Sequence, residues 1–81
     1  SVTPTTRVLA PEILCVEDDP DAGDLLEMIF RKEGYRVQVV TSMADALSAL
    51  ERYRSWALII VDYNLPDGTG TEMLREARRR S

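Results

Sequence analysis

Ile13-Leu14-Cys15-Val16-Glu17-Asp18-Asp19-Pro20 decides the fold. Four apolar residues in a row, stopped by three acids, describe a short strand buried on both faces, because a half-exposed strand would alternate. Pro20 is favoured at the first position of a helix, and Asp19 suits its N-cap. Leu25, Leu26 and Ile29 then recur at helical spacing, with Ala22 one turn earlier, and Gly34 fits the position just past the helix end.

The pattern repeats outward. Tyr35 to Val40 alternates apolar and polar and reads as a second strand. Ser42 to Asp45 resembles a capping box with Asp in place of Glu. Met43, Ala46, Leu47 and Leu50 then mark a second amphipathic helix running to about Tyr53. Trp56 to Val61 is the most apolar strand and ends in Asp62. A loop shaped by Pro66, Gly68 and Gly70 follows, and Thr71 to about Arg79 forms a third helix on Met73, Leu74 and Ala77. Residues 1–12, with Pro4, Pro11 and several Thr, read as a linker or disordered terminus. The resulting order, βαβαβα, predicts an α/β fold with a parallel sheet and right-handed crossovers.

The composition narrows the chemistry. The 81 residues allow one small domain, and 44% apolar with 30% charged residues fits a globular chain. No apolar run approaches the ~20 residues that a membrane span needs, and no signal-peptide pattern opens the chain. A net charge of −4 argues against a general nucleic-acid binder. With one cysteine and no histidine, an intramolecular disulfide, a Cys/His zinc site and a His-based triad are excluded. Cys15 reads as a small core residue. Any metal must be a hard ion on carboxylates and carbonyls, such as Mg²⁺. The basic cluster Arg75, Arg78, Arg79 and Arg80 reads as a solvated helix C-terminus suited to the helix dipole.

In open parallel sheets ligands bind beyond the carboxyl ends of the strands. Two apolar strands here end in acids, one in Glu17-Asp18-Asp19 and the other in Asp62. If those strands are neighbours, Asp18 and Asp62 converge, and crowded carboxylates are relieved by a divalent cation or by proton uptake. Taken singly, each acid reads equally well as a helix cap or a loop starter. Their joint placement is what suggests a site. Tyr63 either borders that site or is an exposed loop aromatic.

Residues 13–20 and Ile59-Ile60-Val61-Asp62-Tyr63-Asn64-Leu65-Pro66-Asp67-Gly68-Thr69-Gly70 resemble the two N-terminal signatures of response-regulator receiver domains. The resemblance covers nearly all of the chain after Pro11. It implies a flavodoxin-like doubly wound parallel sheet, truncated to its first three βα units over residues 13–81, with strand order 2-1-3. It makes Asp62 the phosphoacceptor and gives Mg²⁺ the ligands Glu17, Asp18, Asp62 and the Asn64 backbone carbonyl, with Asp19 as an outer-shell helper. It implies a cytoplasmic signalling domain, not a metabolic enzyme, that accepts a phosphoryl group from a sensor histidine kinase or phosphotransfer protein. The family's strand-four Ser/Thr and strand-five Lys have no counterpart in these 81 residues. Two other readings follow. One is a receiver-like protein–protein interaction module without phosphorylation. The other is a haloacid-dehalogenase-type phosphatase, disfavoured because Asn64 stands where that family needs a second Asp. The same resemblance leaves Ala57 to Val61 as a bare sheet edge if these 81 residues are the complete chain, in which case a homo-oligomer through that edge is expected; the alternative is that another piece supplies the missing strands.

Overall fold

The computed structural model describes residues 10–53 and 55–80. The chain forms β1 (Glu12–Val16), α1 (Pro20–Lys32), β2 (Arg36–Val40), α2 (Met43–Arg52), β3 (Trp56–Val61), the two-residue strands β4 (Asn64–Leu65) and β5 (Gly68–Thr69), and α3 (Gly70–Arg80). β1 is central in a parallel sheet of order β2-β1-β3. Its apolar residues Ile13 to Val16 are all buried, as a strand covered on both faces requires. The α/β class and the strand order are as expected. β1 opens at Glu12, inside the stretch read as linker. The Arg36 amide donates to the Pro11 carbonyl at 2.9 Å, and the Arg36 Nε to the Ala10 carbonyl at 2.8 Å. Residues 1–9 of that stretch lie outside the described residues.

The helices end as their sequences dictate. The Asp19 side chain caps α1 by accepting from the Asp21 amide, and Gly34 takes the left-handed φ of 93° just past the helix. Ser42 Oγ accepts from the Asp45 amide at 3.1 Å. α3 begins one residue earlier than its apolar spacing indicates, because Thr69 and Glu72 form a reciprocal capping box. Thr69 Oγ1 accepts from the Glu72 amide and Glu72 Oε1 accepts from the Thr69 amide, both at 3.1 Å. The stretch read wholly as a loop also contains the antiparallel β4–β5 hairpin.

Two cores flank the sheet. Leu14 and Val16 of β1 pack with Ala46, Leu47 and Ala49 of α2, Leu65 of β4 and Met73 of α3. On the opposite face Ile13, Cys15 and Val37 meet Leu26, Phe30 and Ile60. This is the doubly wound arrangement, with α1 on one side and α2 and α3 on the other. Two details of the helical stripes differ from the sequence reading. Of α1's expected apolar residues, Leu26 packs into the core, joined by Phe30, and Ala22 is partly buried, while Leu25 and Ile29 are exposed beside Met28. In α3, Met73 is buried and Leu74 is exposed. A helical repeat shows that a helix has an apolar stripe but does not show how wide a neighbour covers it.

The basic end of α3 is engaged locally. Arg79 and Arg80 pair with Glu76, and Arg80 also reaches Glu51 at the end of α2. Hydrogen bonds from Arg79 and then Arg80 pull the Glu76 carboxyl down to about 2. Cys15 is fully buried, and burial, reinforced by Glu27, pushes its thiol up, which suits an inert core residue. Tyr53 and Trp56 pack edge to face with centroids 4.9 Å apart.

Candidate functional site

The acidic corner is a consequence of strand register. Val16 of β1 stands beside Val40 of β2 and Val61 of β3. The ladder continues one residue further on each side: the Glu17 amide donates to the Val40 carbonyl at 2.9 Å and the Asp62 amide to the Val16 carbonyl at 2.8 Å. Glu17 and Asp62 therefore leave the sheet together at its carboxyl edge, and Asp18 follows where the chain turns toward α1. Carboxylate oxygens of Glu17, Asp18 and Asp62 come within 4.8 Å of one another. Glu17 and Asp62 are partly buried and Asp18 is exposed.

Opposing influences act on Glu17. The Asp19 amide, donating to Glu17 Oε1 at 3.1 Å, has the largest effect and lowers its pKa. Burial, the nearby Asp62 carboxylate and Asp18 together outweigh it, so the Glu17 carboxyl lies above its ordinary value. Like charges gathered at one corner raise the energy of the fully ionised state. A cation or a proton lowers it.

Three oxygens at this spacing suit a hard divalent ion. Ligands at about 2.0–2.1 Å from Mg²⁺ lie at most about 4.2 Å apart, and three oxygens all within 4.8 Å of one another need at most a small inward movement to meet that limit. The hairpin supplies a further oxygen. The Gly70 amide donates to the Tyr63 carbonyl at 2.7 Å, which makes Tyr63 and Gly70 a hydrogen-bonded pair. Pairs alternate along an antiparallel ladder, so Asn64 faces Thr69 as a non-hydrogen-bonded pair and its carbonyl is not engaged by that partner.

Of the expected site residues, Glu17, Asp18 and Asp62 come together. Asp19 stands outside the cluster: its side chain caps α1, and its backbone amide contacts Glu17. The ring of Tyr63 is exposed, which favours the loop-aromatic reading. Asp67 was legible only as part of a Pro/Gly loop. Its carboxylate instead accepts from the Met43 amide at 2.6 Å and the Ala44 amide at 3.0 Å, capping α2 from the loop that follows Asp62. No sequence signal marks such a cap, because it joins residues 24 apart across two elements.

Comparison with known proteins yields the same architecture. Residues 13–81 match the family described as the response regulator receiver domain. The chain is 42% identical over 67 residues to an uncharacterized transcriptional regulatory protein, YbdJ, of Bacillus subtilis, covering 83% of this chain and 29% of that one. A sensor protein from Polaromonas shares 43% identity with a TM-score of 0.79, over 85% of this chain and 54% of that one. The response regulator TrrA of Thermotoga maritima, whose structure was solved in complex with Mg²⁺-BeF, gives a TM-score of 0.81 at 28% identity, over 88% of this chain and 61% of that one. The chain thus spans under a third of the first relative and somewhat more than half of the two structures. Among the described residues no helix is long and apolar enough to cross a membrane. The family match over most of the chain, joined to the β2-β1-β3 sheet and its acidic corner, places this protein among the response regulator receiver domains of two-component signalling, which act as phosphoacceptors and not as catalysts.

Proposed function

We propose that the chain accepts a phosphoryl group on Asp62 from a phosphohistidine of a sensor kinase or phosphotransfer protein, with Mg²⁺ as cofactor. Residues 13–81 are read as the first three βα units of the domain, with the preceding stretch as its lead-in and the cytoplasm as its compartment. The observation that carries this reading is the approach of Glu17, Asp18 and Asp62 at the carboxyl edge of β1 and β3. The carboxylates of Glu17, Asp18 and Asp62 and the Asn64 backbone carbonyl would hold the ion. Asp19 would assist from outside through its amide on Glu17.

The chemistry is a displacement at phosphorus. A carboxylate oxygen of Asp62 acts as nucleophile. An O–P bond forms as the P–N bond to the imidazole breaks, and the electron pair returns to the imidazole nitrogen. Bound Mg²⁺ would offset the negative charge on the phosphoryl oxygens. Asp62 is held for this role by the hydrogen bond that its backbone amide donates to the Val16 carbonyl, which fixes where its side chain emerges from β3. The 81 residues taken by themselves would form a homo-oligomer through the edge of β3.

Incubation of the full protein with a small-molecule phosphodonor and Mg²⁺ should label Asp62, and beryllofluoride should block the labelling. Asp62→Asn should abolish it. Labelling that persists in this variant and maps to another residue would overturn the assignment.

A further inference from the structure

Three amides at the start of α2 have no partner inside the helix, and all three are satisfied by side chains. Ser42 Oγ takes the Asp45 amide, while both oxygens of Asp67 take those of Met43 and Ala44. Asp67 is at the tip of the β4–β5 hairpin, in the two-residue turn between Leu65 and Gly68. A hairpin with two-residue strands has little stability of its own. Three anchors hold this one: the Gly70 amide on the Tyr63 carbonyl at its base, buried Leu65 in the core, and the Asp67 carboxylate on α2 at its tip. The tip is also in close contact with α2, since a Cβ added at Gly68 would come within 2.7 Å of Met43 Sδ. Asn64 lies between base and tip.

We propose that Asp67 is a positioning residue for the acidic corner: clamped on the first two amides of α2, it holds the hairpin so that the Asn64 carbonyl can join Glu17, Asp18 and Asp62, and it ties the state of that corner to α2. The proposal rests on the reading of Glu17, Asp18, Asp62 and Asn64 as the metal site. Bonds from amides to an ionised carboxylate are the stronger kind, and the same two bonds lower the pKa of Asp67 and keep it ionised. Coupling of this kind is reciprocal. If the clamp favours metal binding, metal binding tightens the clamp and the amides beneath it.

Mg²⁺ titration calorimetry and amide hydrogen exchange on the full protein test this. Asp67→Ala should weaken Mg²⁺ binding about tenfold or more, the size of effect seen when a residue orienting a metal ligand is lost. Asp67→Asn, with one acceptor oxygen, should fall between it and the unaltered protein. Ser42→Ala removes the other side-chain cap of α2 without touching the hairpin, and Asp45→Asn removes one charge at the same helix end. Both should leave Mg²⁺ affinity unchanged. Mg²⁺ should slow exchange at Met43 and Ala44 in the unaltered protein and less so in Asp67→Asn, a readout that stands even if Asp67→Ala fails to fold. Equal losses of affinity in Asp67→Asn and Ser42→Ala, or exchange at Met43 and Ala44 indifferent to Mg²⁺, would overturn the clamp. If Asp18→Asn binds Mg²⁺ as well as the unaltered protein, the metal-site reading itself fails and the clamp with it. If Asp18→Asn weakens binding and the Asp67 variants do not, the clamp alone fails.

Discussion

At the scale of single residues, the acidic corner sets proton and metal in competition for Glu17. Its carboxyl lies above the ordinary 4.5 in the folded chain, so the folded state holds the proton more tightly than the unfolded one. The associated stability is fully present below the unfolded pKa and is lost as pH rises through the folded value. Metal-free protein should therefore lose thermal stability over that rise, and Glu17→Gln should flatten the dependence in melts across the acidic range. Mg²⁺ affinity should move oppositely and fall as pH drops through the raised value, because the ion needs the ionised carboxylate. Affinity independent of pH across that interval would count against Glu17 as a ligand. Asp18→Asn should weaken Mg²⁺ binding strongly. Glu51→Gln, an exposed acid paired with Arg80, should not, and equal effects in calorimetry would remove the metal site. These acids were legible because each closes an apolar strand. Asp67 was not, because its partners Met43 and Ala44 are near it only once the chain has folded.

Elements were legible where local chemistry settles them. β3 runs from Trp56 to Val61 as read, since an apolar run bounded by turn residues leaves little choice. α3 starts one residue before the position that apolar spacing indicates, because the Thr69–Glu72 capping box, itself present in the sequence, sets its first turn. Thr69→Ala should cost about 1 kcal/mol by denaturant melting, the usual loss for a cap. The start of α3 also presses on the site. A Cβ at Gly70 would meet the Asp62 carbonyl at 2.8 Å and Val61 Cγ1 at 3.0 Å, so Gly70→Ala must displace backbone at Asp62. We expect a loss of about 1–3 kcal/mol together with weaker Mg²⁺ binding. Gly34→Ala is the contrasting case. Its Cβ meets nothing within 4 Å, but φ is +93°, so the penalty is about 1–2 kcal/mol of backbone strain. Gly34 is remote from the acidic edge, and Mg²⁺ affinity should be unchanged. If both glycine variants alter it alike, the link between Gly70 and Asp62 is wrong.

For the whole molecule, alternation and apolar runs identify strands without saying which are neighbours, so in the sequence only the family resemblance implies the order of the sheet. Among the described residues the order β2-β1-β3 leaves β3 with one unpaired side. Its inner side pairs with β1 from Trp56 to Val61, with a register shift that passes over Ala57. The outer side presents unpaired backbone groups along a strand with exposed Ala57 and Leu58 and no Lys or Pro to discourage pairing. Leu25, Met28 and Ile29 of α1 add exposed apolar surface. So short a chain buries a modest fraction of its surface, and any further burial shifts its folding equilibrium appreciably. The 81-residue chain by itself should therefore associate through β3, in a two-fold arrangement if the edges pair antiparallel. Light scattering should show a dimer or larger species whose melting temperature rises with concentration, as linkage requires. Leu58→Lys puts a charge on the bare edge and should shift the chain toward monomer at the same concentration. A cooperatively folded monomer at high concentration would show that β3 does not pair, and association unaffected by Leu58→Lys would move the contact to another surface.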